Sequence, residues 1–181
     1  YTERSAKVLE LASKLATPVE VYAYVRDQIR FIHRFGATQT ATQVIESGAG
    51  TAADKTALLV ALLRAKGVAV QFAYGKADVT EARLKRLYGV DSVLDLAWAQ
   101  AVLLAPYFTD SRNKLHPEWF FHYERGERLW HVPHVWAMAY IGNRWKAIDA
   151  TYSEHDFAVA NPGLREAPVD SGFNAFLFEP D

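Results

Sequence analysis

Gly48-Ala49-Gly50-Thr51-Ala52-Ala53-Asp54-Lys55-Thr56-Ala57-Leu58-Leu59-Val60-Ala61-Leu62-Leu63-Arg64-Ala65-Lys66-Gly67 is a helix with both of its ends written into the sequence. Thr51 is placed to cap the N-terminus, and Asp54, three residues on, completes a capping box. Gly67 supplies a left-handed stop, with Arg64 and Lys66 in the last turn, where cations suit the helix dipole. The spacing predicts a helix from Ala52 to Lys66. Between its ends Leu58, Leu59, Val60, Ala61, Leu62 and Leu63 leave almost no polar face, and a helix apolar all round is buried on several sides. The preceding Ser47-Gly48-Ala49-Gly50 carries no bulk, so another group can come close to the unpaired N–H groups and partial positive charge of the helix start. Taken alone, the stretch describes a capped core helix.

A second informative block is His131-Val132-Pro133-His134-Val135-Trp136-Ala137-Met138-Ala139-Tyr140-Ile141, followed by Gly142-Asn143 and then Arg144-Trp145-Lys146-Ala147-Ile148-Asp149-Ala150-Thr151. Gly-Asn between two strand-like runs signals a hairpin. With Gly142 and Asn143 as the loop, Ile141 pairs with Arg144, Trp136 with Asp149 and His134 with Thr151, which makes His134 and Asp149 diagonal neighbours on one face. His131 and His134 are three apart in an extended segment and face opposite sides, so they do not share one ligand sphere. His131 is therefore given a surface role, and no metal or other cofactor is expected. His116, His122 and His155 have no motif around them.

The run Gly50-Thr51-Ala52-Ala53-Asp54-Lys55-Thr56, continued by Leu58 to Ala65 and Gly67-Val68, resembles the central motif of the transglutaminase-like superfamily. His-x-Trp at 134–136 and Trp-x-x-x-Asp-x-Thr at 145–151 match that family's other two motifs, and the match covers roughly residues 18–75 and 131–152. The resemblance implies an α+β fold with a papain-like, transglutaminase-like core, a central helix packed on an antiparallel sheet, and a helical insertion at about 76–130. It implies a single domain over 1–181. It also implies site roles: position 52 for a nucleophilic cysteine, His134 as general base and acid, and Asp149 as the residue that orients the imidazole. An upstream polar side chain often helps hold the oxyanion in this fold group, and Gln39 is the candidate, against the plainer reading of a solvated loop glutamine. Trp136 and Trp130 are candidates for the substrate cleft.

This chain departs from the family at the position that matters most for chemistry. Ala52 stands in the cysteine's place and there is no cysteine anywhere. A thiolate is the attacking species, and a helix N-terminus favours it. Two explanations are open: a natural member that lost its nucleophile and persists as a peptide- or protein-binding module, or an active enzyme deliberately changed from Cys to Ala. The intact motif around the gap favours the second. The parent activity implied is thiol-dependent acyl transfer on an amide of a protein or peptide substrate. Water as acceptor gives a cysteine protease or amidase, the commoner outcome among bacterial-looking members, and an amine gives a cross-linker. Ala150, where the family usually has Pro, is a mild departure.

Composition narrows the remaining classes. The 181 residues are 50% hydrophobic and 13% aromatic, enough for a sizeable core in one domain. A formal net charge of -1 argues against a nucleic-acid partner held by bulk electrostatics. No apolar run approaches the length of about 18 residues that a membrane span needs. A chain that begins at Tyr1 reads as part of something longer, an exported bacterial protein being one option, and its compartment is not legible.

The rest of the chain predicts further elements. Ala6, Val8, Leu9, Leu11, Ala12 and Leu15 have helical spacing. Thr17-Pro18 opens a second helix running to about Ile32, with Val21, Tyr22, Val25 and Ile29 on its apolar stripe. Residues 36–50 read as a connecting segment, 68–74 as a strand ending at Gly75, and 80–105 as helix. Aromatic residues of the insertion, among them Trp98, Tyr107, Phe108, Trp119, Phe120, Phe121, Tyr123 and Trp130, are expected to wall the cleft beside Ala52. The run after Thr151 reads as irregular coil.

Overall fold

The computed structural model describes residues 4–32, 34, 36–95, 97, 121–151, 164–166 and 176–178. In chain order the elements are α1 (Ala6–Lys14), α2 (Pro18–Gln28), β1 (Arg30–Phe31), α3 (Ala41–Ser47), β2 (Ala49–Gly50), α4 (Ala52–Ala65), β3 (Val70–Thr80), α5 (Glu81–Tyr88), β4 (Phe121–Glu124), β5 (Glu127–Tyr140), β6 (Trp145–Ile148), β7 (Leu164–Glu166) and β8 (Phe176–Phe178). They divide into one compact unit of residues 1–75 with 134–181 and a second of 76–133. The fold is α+β, with a central helix packed on an antiparallel sheet.

In the first unit α4 is the hub. Leu58, Leu59, Leu62 and Leu63 have no exposed surface, and each contributes about 1.5–3 kcal/mol relative to an exposed position. They share one apolar cluster with Val8 of α1, Val21 and Val25 of α2, Val44 of α3, Val70 of β3, Ala137 and Ala139 of β5, and Ile148 of β6. Alanines at 137 and 139 let the helix lie close to the sheet. The capping box at its start is complete: the Thr51 hydroxyl accepts from the Asp54 N–H and the Asp54 carboxylate accepts from the Thr51 N–H.

The sheet order is β7-β6-β5-β3-β8, with β4 on β5. Gly142 and Asn143 have φ of 64° and 61°, the left-handed pair that a two-residue hairpin requires. Ile141 N–H donates to Arg144 O, and Ala137 lies opposite Ile148. This is the register read from the sequence.

Three expectations change. The second helix stops at Gln28 instead of about Ile32, because the chain turns into β1, which pairs in parallel with β2. Residues 36–50 are not a plain connector: Thr40 and Gln43 form a second capping box and open α3, which Gly48 ends in the left-handed conformation. The run after Thr151 contributes β7 beside β6 and β8 beside β3.

In the second unit β3 continues past Gly75 to Thr80, and α5 ends at Gly89, a left-handed C-cap. Of the helix expected over 80–105, residues 96 and 98–105 lie outside the described residues. Part of the aromatic segment is a hairpin, turned by Arg125 and Gly126 at φ 51° and 84°. The Arg128 guanidinium lies over Phe121, Tyr123 and Trp130, 4.9, 5.5 and 6.0 Å from their ring centroids, and meets Glu81 at 3.3 Å.

Two substitutions probe the packing around α4. A Cβ at Gly50 would fall 2.9 Å from the Cβ of Asp54, which cannot move without breaking its hydrogen bonds. Gly50→Ala is expected to lower the unfolding free energy by about 1–3 kcal/mol, read from urea denaturation. The fully buried Lys55 donates from Nζ to Ile29 O at 2.6 Å and Arg26 O at 3.3 Å, serving the carbonyls at the end of α2. Lys55→Met leaves those carbonyls without this donor and is expected to cost about 1–3 kcal/mol in the same assay.

Candidate active site

Position 52 lies in the first turn of α4, half-buried, directly after the cap residue Thr51. A helix start offers N–H groups that the helix itself does not use, together with a partial positive charge. The loop ahead of it is held in place by Asp54. That carboxylate is fully buried and accepts hydrogen bonds from the Thr38 N–H, the Thr38 hydroxyl and the Gln39 N–H as well as from Thr51. Burial by itself would raise its pKa, but the donors outweigh it and the pKa is lowered.

Gln39, the oxyanion candidate, is engaged at both ends of its amide. Nε2 donates to Ala49 O at 3.0 Å, and Oε1 accepts from the Ser47 hydroxyl at 2.9 Å. These bonds fasten the loop that leads into α4.

His134, near the middle of β5 and 5% exposed, and Asp149, just past β6 and 22% exposed in its side chain, meet as the hairpin register requires. His134 Nε2 lies 2.8 Å from Asp149 Oδ2, and Asp149 Oδ1 accepts from the Thr151 N–H at 2.9 Å. Both carboxylate oxygens are occupied, so the imidazole is oriented by a carboxylate that is itself fixed. Burial pushes the Asp149 carboxyl up, but the charge of His134 and hydrogen bonds from His134 and Thr151 overcome this and hold its pKa at about 2. Trp136, two residues along the same face, stacks beside the imidazole with ring centroids 6.3 Å apart and planes 19° from parallel.

One hydrogen bond ties this strand to α4. The Thr56 hydroxyl, one turn beyond position 52 on the same helix face, donates to the carbonyl of Val135, next to His134. The second turn of α4 and the His134 strand are therefore direct neighbours.

Trp130, a cleft candidate, is 2% exposed and lies in the second unit with its ring 5.3 Å from that of Phe121. Trp98, Tyr107, Phe108, Trp119 and Phe120, also expected beside the site, lie outside the described residues, as do His116 and His155. Thr38, Thr56 and Thr151 are parts of the site that sequence reasoning left without a role. Thr56 and Thr151 had a signal, their places in the Gly50–Thr56 and Asp-x-Thr motifs, and Thr38 had none.

A model of the transglutaminase-like superfamily matches residues 6–150. This chain belongs to that superfamily. A solved structure similar to this chain is that of a candidate cysteine protease from Cytophaga hutchinsonii, with 18% identity, a TM-score of 0.47 and coverage of 97% of this chain and 52% of that one. The chain thus spans about half the length of that protein. No curated protein sequence matches significantly.

Within this transglutaminase-like core, the pH dependence of stability tests the His134–Asp149 pair. The folded-state pKa of Asp149 lies below its ordinary 3.8, so its contribution to stability is present above that value and is lost as the pH falls toward about 2. Asp149→Asn removes the titration. The variant should be less stable than the parent at neutral pH, and the gap in urea midpoint should narrow steadily between pH 4 and 2.

Proposed function

We propose that this is the site of a thiol-dependent acyl transferase or hydrolase acting on an amide of a protein or peptide, with cysteine the residue that belongs at position 52. The observation that carries the proposal is the His134–Asp149 pair, with His134 on the strand that Thr56, one turn beyond position 52 on α4, hydrogen-bonds. In the cysteine form, His134 takes the thiol proton and the thiolate attacks the carbonyl carbon. Helix-start N–H groups stabilise the oxyanion. The amide C–N bond breaks as the imidazolium protonates the leaving amine, which gives a thioester. Water or a second amine, deprotonated by the imidazole, then attacks the thioester and releases acid or a new amide. Asp149 stabilises the imidazolium throughout. With Ala52 the chain forms no thioester.

A second reading is a module that binds peptides without turning them over. The absence of any cysteine favours it. The two differ in what position 52 can support once a thiol is restored there.

Ala52→Cys is expected to give a thiol more acidic than the free value of about 8.5, because the helix terminus and an imidazolium both favour the thiolate. The shift should shrink when His134→Ala is added. Iodoacetamide alkylation rate against pH, for the single and the double variant, measures both. An apparent pKa at the free value and indifferent to His134 would show that the motifs do not assemble into a nucleophilic site.

A further inference from the structure

The second unit holds another cluster of titratable groups, outside every motif. His122 on β4 lies opposite Leu129 of β5, so His131 two residues on is its diagonal neighbour on the same face. The two imidazoles stack with centroids 4.9 Å apart and planes 20° from parallel. Asp78, on β3, completes the group with Oδ1 2.7 Å from His131 Nδ1. One nitrogen or oxygen from each of the three residues lies within 4.8 Å of the other two.

An ion pair between Asp78 and His131 explains only part of this. It gives His122 nothing to do. Yet His122 Nδ1 is buried with no hydrogen-bond partner among the described residues. A buried ring nitrogen in that position carries a desolvation cost that nothing around it offsets.

We propose that Asp78, His122 and His131 bind one divalent transition-metal ion of the zinc class. Two neutral imidazoles and a carboxylate are the ligand types such ions take, and three protein ligands leave one position for water. Bond lengths of about 2.0–2.2 Å put tetrahedral ligand atoms roughly 3.3 Å apart. The 2.7 Å contact must open slightly and the 4.8 Å span must close. Asp78, with a side chain 39% exposed, has the freedom to turn and the access to solvent that this needs. The expectation of no metal came from the His131–His134 spacing alone. The ligands proposed here come from three strands, and Asp78 and His131 are 53 positions apart.

The test is titration of ZnCl2 into the full chain after dialysis against EDTA, followed by isothermal calorimetry. One equivalent should bind. His122→Ala and His131→Ala should each weaken binding by at least the roughly 10- to 100-fold that loss of an outer-shell partner costs, while His134→Ala retains it. Should either variant fail to fold, the unsubstituted chain supplies the second measurement: zinc should protect His122 and His131, and no other histidine, from carbethoxylation by diethyl pyrocarbonate, mapped by peptide mass spectrometry. No stoichiometric binding, binding indifferent to both substitutions, or protection falling on other histidines would overturn the proposal and leave a cross-strand ion pair beside a stacked ring.

Discussion

A carboxylate with no exposed surface, Asp54, sets the terms for the rest of the first unit. Buried charge survives only where hydrogen bonds replace water, and Asp54 obtains them from its own helix start and from the loop at Thr38 and Gln39. The loop and the first turn of α4 are consequently one piece. The next two residues extend the same arrangement. Lys55, also fully buried, takes carbonyls at the end of α2, and Thr56, 2% exposed, takes the carbonyl of Val135 on β5. Three consecutive polar residues at the start of a largely apolar helix thus anchor it to a loop, a helix and a strand. A helix held only by leucines could slide or rotate by a residue at modest cost. One held by buried polar groups cannot, because any shift leaves charge unsatisfied.

That immobility matters for the site. The acyl transfer proposed for it needs the attacking atom, the base and the oxyanion donors within a few tenths of an ångström of their working places. Position 52 is fixed by the cap at Thr51 and the anchors that follow it, and His134 by Asp149, whose two oxygens are both engaged. The low pKa of Asp149 follows from the same contacts. It keeps the carboxylate charged across the range in which an imidazole changes protonation. Gln39 belongs to this support: through Ala49 and Ser47 it holds the small-residue loop against which Gly50 and Asp54 are packed.

The second unit is built on other means. Its described part has few buried aliphatic side chains, chiefly Val79 and Leu84, and relies on a guanidinium set against three aromatic rings and on a buried indole. Such a hairpin has a small core to hold its register. An ion shared between β3, β4 and β5 at the histidine cluster would add a directional constraint that apolar contact does not provide.

Much of the first unit was legible from local sequence because its signals are local. The capping box at Thr51 and Asp54, the Gly67 stop, the Thr17-Pro18 start and the Gly142-Asn143 turn each depend on residues within a few positions of one another, and the hairpin turn alone fixed that His134 would meet Asp149. The box at Thr40 and Gln43 is equally local, though it opens a helix within a segment whose composition reads as connector. What tertiary structure decided is where polar groups find partners far along the chain. Lys55 to Ile29, Thr38 to Asp54, Thr56 to Val135 and His131 to Asp78 leave no periodic trace, since a buried donor needs one acceptor at one point in space and the chain can supply it from any strand or loop that folding brings there.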